Sequence, residues 1–225
     1  MSIFNYAFFN CQSLTKIVIP STVTKIGKYA FCSCPINTVT IPSSVKIIGE
    51  GSFSWCTSLV EVSFQEQSQL TYIGKYAFQH CEKLKNIKIP STVEKIDRHA
   101  FSECGSLMEI NIPYYVDGIE DNTFQNCDRL EKITFPYISY IGEHAFSNCN
   151  RLKDIELPDS LIYIAEGAFN SCAELVEITI PPSVEHICSD SFDGCENLTK
   201  VRFLSRNFIG NVEGYFPERV SIDYQ

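Results

Sequence analysis

A short block recurs through this chain and limits its fold more than any other feature. The block is a small residue, Phe, two free positions, Cys, two more free positions and then usually Leu, as in Ala77-Phe78-Gln79-His80-Cys81-Glu82-Lys83-Leu84. Its Phe returns as Phe8, Phe31, Phe53, Phe78, Phe101, Phe124, Phe146, Phe169 and Phe192. Its Cys returns as Cys11, Cys34, Cys56, Cys81, Cys104, Cys127, Cys149, Cys172 and Cys195, at spacings of 22 to 25 residues. A fixed period of this length predicts a solenoid, because one such unit buries its apolar face only against neighbouring copies. The repetition overrides the two compact domains that 225 residues would otherwise suggest.

One period reads as one coil. In Leu84-Lys85-Asn86-Ile87-Lys88-Ile89-Pro90, Ile87 and Ile89 alternate with polar residues, the period of two of a half-buried strand. Pro90 ends that strand, since proline cannot donate to a ladder, and Pro20, Pro42, Pro113, Pro136, Pro158 and Pro181 end others at the same corner. Val93 and Ile96 point inward from a second, shorter extended piece. The glycines that follow the corresponding Ile, Gly27, Gly49, Gly74 and Gly142, mark unusual backbone angles or a close approach. The Ala-Phe-x-x-Cys piece is expected as a helical or 3-10 turn closing the coil. Stacked at about 4.8 Å per coil, such units bury a Phe column and a Cys column. The Cys thiols are expected to be reduced, each a small buried group whose S–H meets a loop carbonyl.

We divide the chain into an array of about nine 22–25-residue repeats over 1–204 and a degenerate capping coil over 205–225, where Ile209-Gly210 and Tyr215-Phe216 keep fragments of the pattern. The array begins in mid-coil at Ile3, so the first coil is expected to be uncapped and available for homo-oligomer contact. Three coils are irregular. Ile36 stands in for Leu where one residue is missing, Gln65 to Gln69 adds two residues at a corner, and Phe135 to Ile141 is one residue short.

The net charge of −9 argues against nucleic acid as a partner, which needs a basic stripe. No apolar run approaches the ~20 residues of a membrane helix, and the first residues lack the basic and apolar regions of a secretory leader. No catalytic, metal-ligand or cofactor constellation stands out. His99 and His144 share a column with Tyr29 and Tyr76, an outward position on the closing turn, and the cysteines lack the four-ligand spacing of a zinc site.

The assembled pattern, Cys-x-x-Leu-x-x-Ile-x-Ile-Pro-x-x-Val-x-x-Ile-Gly-x-x-Ala-Phe, resembles the BspA-like (Treponema pallidum-type) leucine-rich repeat family over about nine tenths of the chain. The resemblance implies a right-handed, mainly β leucine-rich-repeat solenoid with a parallel sheet on its concave face. It also implies a non-enzymatic protein-interaction platform, like surface and adhesion proteins of mucosal microbes and parasites that bind host extracellular-matrix proteins such as fibronectin, or other cells. That role places the chain at a cell surface. The missing leader and membrane segment support the alternative, a cytoplasmic scaffold or regulatory subunit. Binding is then expected on the outward strand positions of the concave face: Lys88, Glu109, Lys132, Asp154, Glu156, Glu177, Lys200 and Arg202. Asp154, Glu156 and Glu177 form an acidic patch beside basic Lys200 and Arg202.

Overall fold

The computed structural model describes residues 1–205, Phe216 and residues 220–224. Each coil of this leucine-rich-repeat solenoid contributes to two parallel sheets, and no helix occurs among the described residues. The sheet of longer strands stacks Thr38–Ile41, Glu61–Phe64, Asn86–Ile87, Glu109–Asn111 and Lys132–Thr134 in chain order. It resumes as Glu177–Ile180, Lys200–Phe203 and Ser221–Tyr224. The second sheet consists of two-residue strands, such as Lys25–Ile26, Ile47–Ile48, Tyr72–Ile73 and Lys95–Ile96. Every pairing is between neighbouring coils and in register, so Val39, Val62, Ile87, Ile110 and Ile133 lie one over another.

The corner after the proline is a reverse turn. In it the Val93 amide donates to the Pro90 carbonyl at 3.1 Å, and equivalent bonds recur at Val23, Val45, Val116, Leu161 and Val184. The shortened coil is one residue too tight for that bond at Ile138, which is nevertheless fully buried. Ile36 is buried in its Leu position, and the two-residue insertion projects an exposed Gln65-Glu66-Gln67 loop.

Successive Phe rings from Phe8 to Phe192 stack with centroids 5.2 to 5.7 Å apart and planes within 2 to 15°. That spacing exceeds the ~4.8 Å between strands, as expected of offset-stacked rings. From Cys34 to Cys195 each thiol of the column donates to the Phe carbonyl of the preceding coil, as Cys81 to Phe53 at 3.3 Å, Cys104 to Phe78 at 3.2 Å and Cys127 to Phe101 at 3.2 Å. All eleven cysteines are free. Burial disfavours the thiolate and pushes Cys56 and Cys104 up to about 12.

The closing segment corrects the expected helical turn. It is a run of reverse turns with two left-handed residues per coil, for example Tyr76 (φ 59°) and His80 (φ 56°). Alternate amides divide their bonds. Ala77, Gln79 and Cys81 donate within the coil, whereas Tyr76, Phe78 and His80 donate to carbonyls of Arg98, Ala100 and Ser102 in the next. A helix would keep all of these bonds inside one segment; turning every second N–H outward requires the left-handed residues. The Ile-Gly positions themselves need close approach rather than unusual angles. A Cβ on Gly74 would lie 2.8 Å from the Glu50 nitrogen of the coil beneath.

Both sheets are interrupted once within the array. The short-strand sheet breaks between Lys95–Ile96 and Gly118–Ile119, and the longer one between Lys132–Thr134 and Glu177–Ile180. Residues 153–157 therefore keep the alternating burial of a strand without ladder bonds. Beyond the array, Phe216 stacks on Phe192 at 5.0 Å, and Ser221–Tyr224 pairs in parallel with Lys200–Phe203. Ile209-Gly210 and Tyr215 lie outside the described residues. In the first coil Phe4, Tyr6, Phe9 and Val18 are exposed.

Candidate interaction surface

The outward positions of the longer sheet are fixed by the alternation that buries its Ile and Val residues. In one column Thr38, Glu61, Asn86, Glu109 and Lys132 are neighbours from coil to coil. In the last coils Glu177 lies beside Lys200, and Thr179 beside Arg202 and Asp223. All eight expected binding residues therefore face one side of the solenoid, but they do not act as one charged patch.

Three of the eight are tied up across coils. Arg202 reaches diagonally to Glu177, 3.1 Å between Nη1 and Oε1, and Lys200 reaches diagonally to Asp223 at 2.8 Å. The Lys200 hydrogen bond and charge hold the Asp223 carboxyl below the usual carboxylate range. Glu177 is thus compensated, and both members of the basic pair Lys200 and Arg202 are neutralised by their own neighbours, Asp223 and Glu177. Lys88, Glu109, Lys132, Asp154 and Glu156 are exposed and have no ion pair among the described residues.

Lys132, Asp154 and Glu156 meet at a shallow groove of ≈ 610 Å³ floored by Ile133 and Phe135. It lies where the ladder is interrupted, so the backbone groups of residues 153–157 have no ladder partner beside the two exposed carboxylates. Lys88 borders a separate groove beside Glu61 and Ser63, and Glu109 stands in the strand between them. The arrangement offers charge and hydrogen-bonding capacity over a broad surface. Among the described residues no group of three or more His, Cys, Asp or Glu is placed to hold a metal, and no helix is long and apolar enough to cross a membrane.

Sequence reasoning about strands passed over two aromatic clusters. Trp55 stacks on His80 at 3.8 Å on the closing turns, and Tyr114, Tyr115 and Tyr137 crowd the proline corner of two adjacent coils. The signal was present: the two residues after the corner proline are Ser or Thr in several other coils, as Ser21-Thr22, Ser43-Ser44 and Ser91-Thr92. The outward histidines are also less open than their column suggests. His99 lies half-buried against Tyr76 at 4.7 Å, and burial, with Lys75 adding to it, lowers its pKa.

Stacked parallel coils with one outward polar residue at every second strand position define a leucine-rich-repeat protein of the interaction type. The chain belongs to the BspA type leucine-rich repeat family, whose model matches six copies across residues 1–108 and 94–213. It is similar to the solved T. pallidum leucine-rich repeat protein, at 30% identity over 82% of this chain and 86% of that one, TM-score 0.53. A leucine-rich cell surface protein from Faecalibacterium prausnitzii is similar at 26% identity, over 95% of this chain and 79% of its own, TM-score 0.56. A leucine-rich repeat protein from Bacteroides ovatus is similar at 25% identity, over 100% and 75%, TM-score 0.55. No curated protein sequence matches the chain.

Proposed function

We propose that the chain is a non-enzymatic adhesion platform that binds a host extracellular-matrix protein through the concave sheet, at the Lys132–Asp154–Glu156 groove. The observation that carries this reading is two uncompensated carboxylates beside an unpaired lysine at the break in an otherwise laddered sheet. The cell surface protein from Faecalibacterium prausnitzii, similar over most of both chains, supports display outside a cell. Uncompensated rim charges steer a partner and set its register more than they add affinity. Reversing both carboxylates with Asp154→Lys and Glu156→Lys should weaken binding to immobilised fibronectin about thirtyfold, since two exposed pairs become repulsive at roughly 1 kcal/mol each. Equal affinity in the variant removes the site from this groove.

The reduced, hydrogen-bonded thiol column favours a second reading, a cytoplasmic scaffold, because thiols persist in reducing compartments. Surface labelling of intact cells separates the two. Self-association through the first coil belongs to the same class of contact and is supported by exposed Phe4, Tyr6 and Phe9. A monomeric mass in light scattering at high concentration would remove it.

A further inference from the structure

In a repeat array the positions that keep the repeat build the scaffold, so an address for a ligand is sought where exposed positions depart from it. Two departures meet at the proline corner of coils three to six. The first is the inserted loop Gln65-Glu66-Gln67-Ser68-Gln69. The second replaces the small hydroxyl residues after the proline by Tyr114 and Tyr115 in one coil and Tyr137 in the next. The three rings are 62%, 66% and 43% exposed, although the buried core continues undisturbed beneath them at Val116 and Ile138. They touch one another, Tyr114 with Tyr115 edge-on at 5.6 Å and Tyr114 with Tyr137 at 6.2 Å, and the turn needs none of them. Large rings left in water at adjacent positions mark a recognition surface.

Between the loop and the rings lies the plain coil Pro90-Ser91-Thr92, whose Thr92 hydroxyl ties it to the loop through the Ser68 carbonyl at 3.2 Å. One groove of ≈ 500 Å³ runs on the concave side of this saddle, with Gln65, Gln67, Ser91 and Asn111 on its walls. Another of ≈ 410 Å³ runs on the far side, with Gln69, Thr71 and Tyr115. The lining combines amides and hydroxyls, which both donate and accept, with one carboxylate and one lysine in each groove, Glu66 with Lys88 and Glu94 with Lys46, so neither carries a net charge, and Tyr115 gives the second an aromatic face. The inserted loop and the first Tyr pair are two coils apart, roughly 10 Å at the strand spacing, the length of a disaccharide. That combination fits a ligand carrying many hydroxyls, no net charge and flat C–H faces.

We infer that the corner formed by the Gln65–Gln69 loop and Tyr114, Tyr115 and Tyr137 is a binding site for a neutral oligosaccharide. The sugar's C–H face lies on the tyrosine rings, and its hydroxyls exchange hydrogen bonds with the loop amides and with Ser91 and Thr92. The site is separate from the Lys132–Asp154–Glu156 groove and stands without the protein-binding reading.

The test is saturation-transfer NMR on the full chain with neutral tetrasaccharides of glucose, N-acetylglucosamine, mannose and galactose. At least one is expected to bind with a dissociation constant of about 1 mM, as suits a shallow site. The signal should vanish in the Tyr114→Ser, Tyr115→Ser, Tyr137→Ser variant and persist in the Asp154→Lys, Glu156→Lys variant. Serine is the residue other coils use at this corner, so the melting temperature should hold; if it falls, Tyr115→Ser alone makes the comparison. No transfer from any sugar, or equal transfer in the tyrosine variant, overturns the assignment. Loss of fibronectin binding in the tyrosine variant without any sugar signal also overturns it, and makes the corner a protein contact.

Discussion

Truncating one ring of the Phe column tests the stacked core most directly. Phe101 is fully buried, with Phe78 at 5.4 Å on one side and Phe124 at 5.7 Å on the other. A phenylalanine buries about 200 Å², worth roughly 5 kcal/mol at about 25 cal/mol per Å². An alanine in its place retains about a third of that. Losing two ring contacts of about 0.5–1.5 kcal/mol each offsets part of what the alanine keeps. Phe101→Ala should therefore destabilise by about 4–6 kcal/mol, at the upper end of such truncations in close-packed cores. Phe8 is only partly buried and has one neighbour in the column, Phe31 at 5.2 Å, so Phe8→Ala should cost roughly 1–2 kcal/mol. Urea unfolding followed by far-ultraviolet circular dichroism reads both. Because coils couple only to their neighbours, the Phe101 variant should also broaden or split the transition. Equal midpoint shifts in the two variants would refute a column whose rings are supported from both sides.

The remaining predictions concern protons. Cys56 and Cys104 ionise near 12 when folded, against an ordinary thiol value of 9.0. The folded value is the higher, so the unfolded chain releases its protons first. The contribution to stability is complete below about pH 9 and drains away as pH rises toward 12. By about pH 10 these two thiols alone should remove roughly 3 kcal/mol, and Cys81, Cys127 and Cys172, shifted in the same direction by burial, add to it. A melting temperature that stays flat from about pH 8 to 10.5 would contradict the buried column. In hydrogen exchange, the amides of residues 153–157, which lack ladder partners, should exchange orders of magnitude faster than that of Ile110, inside the paired strand Glu109–Asn111. Comparable protection would mean that this coil is laddered in solution.

Much of the fold could be read from residue alternation. Ile87 and Ile89 announced a strand, Pro90 its end, and the Cys register placed each thiol under a carbonyl. The closing turns were not legible, because the left-handed positions are held by Tyr29, Trp55, Tyr76 and His99 as well as by Gly51 and Asn126. Backbone conformation there is dictated by hydrogen bonds to the next coil, which overrule the preference of the residue itself. The break at Asp154-Ile155-Glu156 was equally hidden, since its alternation is that of the paired strands. The Lys200–Asp223 pair needed the register of the last strand, which a decayed repeat did not supply, and the Glu177–Arg202 pair is a diagonal reach that column positions alone do not specify. Position along the sheet was therefore readable, but pairing across it was not.

The closing turns give the solenoid a direction. At that corner the amides that leave their coil, as at Tyr76, Phe78 and His80, all point the same way, an N–H of one coil meeting a carbonyl of the next, so these peptide dipoles add along the stack as they do along a helix. The first coil consequently presents acceptors there: among the described residues the carbonyls of Asn5, Ala7 and Phe9, equivalent to the bonded ones of Lys28, Ala30 and Cys32, receive no amide. Another coil laid on that face must bring donors. A head-to-tail join does so, whereas a two-fold join that sets corner against corner opposes carbonyl to carbonyl.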